Sequence, residues 1–116
     1  MKLRKLMFGE AKMEATPGER GEIFAGNLVD ERHGGPVTVG YGRWSANSML
    51  EQVMAVDDIM IVLTGRLSVS SASETLEIGP GEIAYMPKGE RVTIRAFEQE
   101  AITAYVTFPH WREAES

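Results

Sequence analysis

The chain has 116 residues, 43% of them hydrophobic, and carries a formal net charge of −5. This length predicts one domain that buries roughly two-thirds of the surface exposed by the unfolded chain. The acidic balance disfavours nucleic acids and anionic membranes as partners, because both attract basic proteins. The absence of cysteine excludes disulfide bonds, thiolate metal ligands and a cysteine nucleophile.

The segment over residues 1–20 predicts a polar N-terminal arm that ends in the turn cluster Thr16-Pro17-Gly18. The arm begins with basic residues, but Glu10 interrupts it before an apolar run of signal-peptide length develops. No stretch approaches the roughly 18 apolar residues of a membrane-spanning helix. We therefore expect a cytoplasmic protein with an arm over residues 1–20 and one barrel domain over residues 21–116.

After the arm, short strand-like runs alternate with turns. The predicted strands cover residues 22–29, 37–44, 49–54, 58–63, 66–70, 75–78, 83–86, 92–97 and 101–108. Runs of this length with turns spaced about ten residues apart are typical of a β-sandwich or barrel. The glycines at positions 65, 79, 81 and 89 predict turns or bulges with positive φ. Only the segment from Met1 to Ala15 leaves room for a helix.

Two blocks of the sequence have the spacing of a known pair of motifs. Six residues separate Asp58 from Gly65, and five residues separate Gly81 from Pro87-Lys88-Gly89. These blocks resemble the two motifs of the cupin superfamily, a jelly-roll barrel also called a double-stranded β-helix. In that family, the first motif is two histidines one residue apart, three or four residues, Glu, six residues and Gly. The second is Gly, five residues, Pro-x-Gly, two residues and a histidine. The resemblance implies an all-β, single-domain cupin.

Further blocks narrow the resemblance to one family of cupins. They are residues 41–44, 56–65, 81–89 and 104–111, and the last combines a Tyr-Val strand with a following Pro and Trp. They resemble the EutQ family of ethanolamine-utilisation proteins. The resemblance implies a homodimer, with the segment from Met1 to Asp30 at the contact, and a part in ethanolamine or short-chain carboxylate metabolism. EutQ proteins usually carry a long N-terminal region before the barrel, so activities that need that region are not implied here.

The ligand positions of the first cupin motif carry no histidine in this chain. With four residues before the acid, the two histidine positions fall on Glu51 and Val53. With three residues, they fall on Gln52 and Met54. The acid position is Asp58, which is one methylene shorter than the usual Glu.

Val92 takes the histidine position of the second motif. Because first-row metal sites of this kind depend on imidazole ligands, the sequence predicts a barrel without a cofactor. The alternative is a weakly held divalent cation on Glu51, Asp58 and a recruited His110. Carboxylates alone would need more oxygen ligands to hold such an ion.

Asp57 and Asp58 are adjacent, so on a strand they face opposite sides, and the motif points Asp58 into the barrel. A buried carboxylate without a nearby cation has a raised pKa. Asp58 would then carry a proton or anchor a cationic or hydroxyl-bearing ligand. The alternative is an Asp that caps the turn before the strand, which is the favoured interpretation of Asp57.

Three more residues complete the predicted ligand site. The motif position favours an inward Glu51 that pairs with Asp58, while the alternative buries Leu50 and leaves Glu51 in solvent. Tyr85 and Tyr105 lie on predicted wall strands, where each hydroxyl could orient a ligand or bond within the core.

These residues support three hypotheses of function. The first is a cupin without the standard histidine ligands that binds a small polar metabolite in its barrel. The second is a divalent-cation-dependent enzyme, such as the acetate-kinase-like phosphotransferase that the EutQ resemblance implies, although the sequence contains no nucleotide-binding motif. The third is a structural or assembly module whose barrel is filled by its own side chains.

Overall fold

The computed structural model describes residues 2–111, which form ten β-strands and two short 3-10 turns. The strands are β1 (Glu14–Ala15), β2 (Ile23–Val29), β3 (Thr38–Trp44), β4 (Met49–Val53), β5 (Asp57–Thr64), β6 (Leu67–Ser70), β7 (Thr75–Ile78), β8 (Ile83–Met86), β9 (Arg91–Ala96) and β10 (Ala101–Phe108). The 3-10 turns cover Phe8–Glu10 and Glu31–His33. Over the described residues, no helix has the length and apolar character needed to cross a membrane.

The predicted all-β architecture is confirmed, and each predicted strand corresponds to an observed one with ends that differ by at most one residue. The strand β1 was not predicted, because its two residues are exposed and form a strand only by pairing with β2. Gly65, Gly81 and Gly89 have positive φ, as their places between strands predict. The structure places no positive φ at Gly79, whose backbone N–H instead donates to Glu82 Oε1 at 2.7 Å.

Two antiparallel sheets form the barrel. The six-stranded sheet has the order β1-β2-β3-β10-β5-β8, and the four-stranded sheet has the order β4-β9-β6-β7. The longest strands, β5 and β10, lie side by side in the first sheet with Thr107 opposite Asp58 and Tyr105 opposite Met60. This register brings the inward residues of β5 and β10 together at the centre of the sheet.

The core lies between the two sheets. Successive side chains of a strand point to opposite faces, so Met60 and Val62 of β5 are buried while Ile59 is exposed on the other face. Leu67 and Ile94 reach the same core from the opposite sheet. Burial of each of these side chains stabilises the fold by about 2 kcal/mol relative to exposure.

The N-terminal arm packs on the outer face of the six-stranded sheet. The Tyr41 hydroxyl donates a hydrogen bond to the Leu6 carbonyl at 3.0 Å, and the Phe8 ring meets the Tyr41 ring edge-on at 5.6 Å between centroids. The arm then passes close to Gly26, where a Cβ would lie 2.9 Å from the Lys12 carbonyl oxygen. The arm thus covers the outer side of β2 and β3.

Candidate functional site

A cavity of about 300 Å³ lies between the sheets. Its wall is mainly apolar and aromatic, formed by residues that include Phe24, Trp44, Met60, Met86, Ile94 and Trp111. The polar side chains at the wall are few, and the most prominent are Asp58, Asn27, Gln52, Thr103 and Tyr105. An apolar cavity with a few polar groups is the usual form of a small-molecule site.

Asp58 faces the cavity, as predicted from the motif. Its neighbours across the sheet are Thr107 on β10 and Met86 on β8, and neither brings a positive charge. The Oδ1 atom is buried and has no hydrogen-bond partner. Burial raises the pKa of Asp58 to about 7, because the charged carboxylate loses its hydration. The group can therefore exist in both protonation states near neutral pH.

Asp57 has a different environment from its neighbour. Its Oδ1 accepts a hydrogen bond from the Lys88 backbone N–H at 2.9 Å. This contact links the start of β5 to the turn after β8, so Asp57 has a structural role, although it caps a distant turn and not the predicted turn before β5.

Tyr105 lies across the wall of the cavity and donates a hydrogen bond from its hydroxyl to Asn27 Oδ1. The strand β3 separates these partners, because it lies between β2 and β10 in the sheet. The residue of β3 opposite Tyr105 is Gly40, which leaves the space that the Tyr105 ring occupies. Burial raises the pKa of Tyr105, and the nearby carboxylates of Asp58 and Asp30 raise it further. Tyr105 is therefore neutral at physiological pH.

The predicted inward orientation of Glu51 is wrong. Glu51 is exposed on the outer side of β4 and forms an ion pair with Arg91 at 3.4 Å. The alternation of β4 instead buries Leu50 and points Gln52 into the cavity. Glu51 and Asp58 therefore do not converge. The motif spacing with three residues before the acid fits the structure, and it places Gln52 and Met54 in the histidine positions.

Tyr85 does not face this cavity, so its predicted role as a ligand contact is wrong for this cavity. Its side chain is 63% exposed, because the inward positions of β8 belong to Ala84 and Met86. The Tyr85 hydroxyl lies 3.4 Å from Asp57 Oδ1 on the outer side of the sheet. The structure thus brings together two of the four predicted ligand contacts, Asp58 and Tyr105.

The alternative metal set of Glu51, Asp58 and His110 is not assembled. His110 is buried, and its Nδ1 lies 2.6 Å from Thr38 Oγ1 while its Nε2 lies 2.8 Å from the Gly35 carbonyl oxygen. The carbonyl requires a proton on Nε2, so neutral His110 accepts at Nδ1 from Thr38. Both ring nitrogens are thus occupied by the fold.

The donors around Asp58 do not fit the metal that the cupin fold implies. Gln52 offers an amide at one histidine position, and Met54 and Val92 occupy two others with buried apolar side chains. Over residues 2–111, no three His, Asp or Glu side chains come close enough to hold an ion. A first-row metal needs more nitrogen ligands than this wall provides.

The sequence matches the family described as ethanolamine utilisation protein EutQ over residues 3–113. The chain belongs to the EutQ family. A curated EutQ-family relative, "Acetate kinase EutQ" of Salmonella typhimurium, is 30% identical over 66 residues, which cover 57% of this chain and 28% of that protein. The chain therefore spans about a quarter of the length of the curated relative that it matches.

Solved structures agree with EutQ-family membership. A protein of unknown function from Rhizobium leguminosarum is 52% identical, with 95% of this chain and 100% of that chain covered and a TM-score of 0.81. The putative ethanolamine utilisation protein EutQ of Salmonella typhimurium is 26% identical, with 80% and 74% covered and a TM-score of 0.72. Solved cupin domains share the fold at TM-scores of 0.66 and 0.69, so the barrel of this EutQ-family chain is a cupin barrel.

Several wall residues were not predicted from the sequence. Trp44 and Trp111 are not among the ligand contacts that the sequence predicts, and the structure places both at the cavity. Gln52 and Thr103 were not considered as ligand contacts, although each had a signal in the sequence. The three-residue motif spacing indicates Gln52, and the alternation of Thr103 with Tyr105 marks the inward face of β10.

Proposed function

We propose that this EutQ-family cupin binds a small organic molecule inside its barrel, with Asp58 as the polar anchor. The supporting observation is the buried Asp58 Oδ1 atom, which has no partner within the described part of the protein. A buried polar atom without a hydrogen bond costs free energy, and nearly all such atoms in folded proteins find a partner. The Asp58 side chain is only partly buried and lines the cavity of about 300 Å³, so a ligand there would contact its carboxyl group.

The cavity wall supports a ligand with a compact apolar body. Trp44 and Trp111 offer aromatic surface, while Tyr105 and Thr103 contribute hydroxyl groups to the wall. Membership of the EutQ family supports a place in the metabolism of ethanolamine or of short-chain carboxylates. We place this function in the cytoplasm, and the described wall residues, which include no imidazole, support a site without a resident metal.

Intrinsic fluorescence tests the proposal directly, because the chain has two tryptophans and both line the cavity. A set of amines, alcohols and carboxylates of roughly four to ten non-hydrogen atoms suits the cavity, since about 150 Å³ holds one benzene. We expect at least one of these compounds to change the emission with a saturable dose response. The variant Trp111→Phe assigns the change to Trp44 or to Trp111.

A variant that fills the cavity tests whether the compounds bind there. Ala25 lines the cavity, so Ala25→Leu should weaken binding by at least about tenfold, while Ala15→Leu on the exposed strand β1 should not change it. Circular dichroism checks that both variants fold. Emission that no compound alters in the folded wild-type protein would overturn the proposal.

A second candidate function comes from the name of the Salmonella relative, which is an acetate kinase. Acetate-dependent formation of ADP from ATP in the presence of Mg²⁺ would favour this candidate, provided that Asp58→Asn abolishes it. The cavity wall supports the binding proposal more strongly, because its described residues offer no basic side chain to a phosphate or carboxylate.

We also propose that two copies of the chain pair through the outer side of the six-stranded sheet. An outer apolar face there consists of Ile59, Ile61, Ile83, Tyr85, Val106 and Phe108. Ile83 is 59% exposed and Phe108 is 55% exposed, which is unusual for a continuous apolar surface of a monomer. A two-fold axis would bury the same face of both copies. The face lies outside the segment from Met1 to Asp30, so the proposed contact centres on β5 and β8.

Light scattering should give the mass of two chains for the wild-type protein. Ile83→Lys should reduce the mass to one chain, because a charge placed within the buried face would lose its hydration. Leu76→Lys, at an exposed residue of β7 in the other sheet, serves as the control and should leave the dimer intact. A wild-type protein with the mass of one chain would contradict the pairing.

A further inference from the structure

We infer that the ligand of the barrel is an organic monocation, with an ammonium head held at Asp58 and an apolar body against the aromatic wall. This inference rests on the proposed function and adds the charge and shape of the ligand. Ammonium groups with one or more N–H donors fit it best, since the Asp58 carboxyl group lines the cavity and is partly accessible there as an acceptor.

The charge of the cavity favours a cation. Of the described residues at the wall, Asp58 alone carries a formal charge, and no Lys, Arg or His lines the cavity. Nearby arginines are engaged on the outer surface, where Arg43 pairs with Glu100 and Arg91 pairs with Glu51. A buried carboxylate without a counter-charge is costly, so the ligand is the natural source of the positive charge.

Other groups of the cavity wall also favour an ammonium compound. The Tyr105 hydroxyl gives its proton to Asn27, so its oxygen can accept a hydrogen bond from the ligand. The Trp44 and Trp111 side chains line the cavity and offer aromatic surface to the apolar body of the ligand. Trp44 lies opposite Ala101, at the far end of β10 from Thr107 and Asp58, so it suits the body and not the ammonium head. An anionic ligand would meet none of these attractions and would be repelled by the ionised carboxylate.

The volume of the cavity limits the size of the ligand's apolar body. At about 300 Å³ the cavity is roughly twice the engineered one that holds a benzene molecule, so it accepts about ten non-hydrogen atoms. A phenyl ring joined through two carbon atoms to the polar N or O atoms of the head group meets this limit. Three such molecules with closely similar bodies differ in the head group: 2-phenylethylammonium, 2-phenylethanol and phenylacetate.

Asp58 must be ionised to attract a cation, so affinity should depend on pH. β10 presents Thr107 and Tyr105 to Asp58, β8 presents Met86, and Gln52 faces it from β4. In the described part of the chain, Tyr105 is therefore the other titratable group at this site, and its raised pKa keeps it neutral throughout. With the pKa of Asp58 at about 7, affinity for the ammonium compound should fall about tenfold between pH 8 and pH 6.

The experiment measures the dissociation constants of the three phenyl compounds by calorimetry, with tryptophan emission as a second signal. At pH 8 we expect the ammonium compound to bind at least about tenfold more tightly than the alcohol, and the carboxylate to bind most weakly. Asp58→Asn should weaken the binding of the ammonium compound by about tenfold or more and change the dissociation constant of the alcohol by less than about twofold. Asp57→Asn, on the same strand outside the cavity, should change neither.

The outcomes separate the inference from the proposed function. Phenylacetate or 2-phenylethanol binding as tightly as the ammonium compound would overturn the cationic ligand and leave barrel binding intact. So would failure of all three compounds while another member of the small-molecule set still binds. If Asp58→Asn leaves the ammonium affinity unchanged in a folded protein, the assignment to Asp58 is wrong.

Discussion

Replacing Asp58 with asparagine is expected to raise the free energy of unfolding at pH 8 by about 4 kcal/mol. Burial raises the pKa of Asp58 from its ordinary value of 3.8 to about 7, and each pKa unit corresponds to about 1.4 kcal/mol. Asparagine has the shape of the protonated acid and never carries the charge that is costly in this cavity. The gain is large beside the roughly 5–15 kcal/mol by which a typical domain is stable.

The pH dependence gives the prediction a definite sign. Between about pH 4 and pH 7, unfolded Asp58 has lost its proton while folded Asp58 keeps it, so the unfolded state binds fewer protons. The stability contributed by Asp58 is complete below about pH 4, falls as the pH rises to about 7, and is constant above that. The difference between Asp58→Asn and the wild type should therefore be near zero at pH 4 and largest at pH 8.

Urea denaturation followed by circular dichroism measures this difference at a series of pH values. Urea is the right denaturant, because guanidinium is an organic cation and could occupy the proposed site. Asp57→Asn is the matched control on the same strand, and it keeps the acceptor for the Lys88 N–H. An Asp58→Asn variant that is no more stable than the wild type at pH 8 would show that Asp58 is hydrated or paired in solution.

The fold was predictable because its strands are marked locally. The segment Ile83–Met86, for example, lies between Gly81 and Pro87, and these turn residues bound β8 on both sides. The two residues of β1 have no such pattern and are exposed, so only their pairing with β2 defines them. A single sequence does not show pairings that depend on how distant segments meet.

The site was predictable only where the motif spacing fixes which residues of a strand point into the barrel. The distance from Asp58 to Gly65 sets which residues of β5 point inward, and Asp58 was placed correctly. The first motif allows two spacings before the acid, and a shift of one residue moves a side chain to the opposite face. The four-residue spacing predicts an inward Glu51, where the structure has Gln52. Tyr85 is exposed because Ala84 and Met86 take the inward positions of β8.

The contact between Tyr105 and Asn27 depends on a feature that strand prediction does not reach. It requires β3 to lie between β2 and β10, and it requires a residue without a side chain on β3 at the crossing point. That residue is Gly40, opposite both Asn27 and Tyr105 in the register. The glycine at this position of β3 is thus explained by the ring that crosses it.

Gly40→Ala is accordingly expected to lower the free energy of unfolding by about 3 kcal/mol or more. A Cβ atom at Gly40 would overlap the Gly26 carbonyl oxygen and lie 2.5 Å from the Tyr105 hydroxyl oxygen. The Gly26 oxygen belongs to the backbone of β2 and cannot move without breaking the pairing of β2 with β3. Urea denaturation at pH 5 measures the loss, since Asp58 is largely protonated there.

Two further variants separate the two overlaps. Gly9→Ala is the control for the loss of a glycine, because a Cβ at Gly9 meets no atom within 4 Å, and its effect should stay within about 0.5 kcal/mol. Combining Gly40→Ala with Tyr105→Phe removes the hydroxyl overlap but leaves the backbone overlap, so only part of the stability should return. Full recovery in the double variant would mean that β2 yields readily at Gly26, and an unchanged Gly40→Ala protein would contradict the packing of Tyr105 across β3.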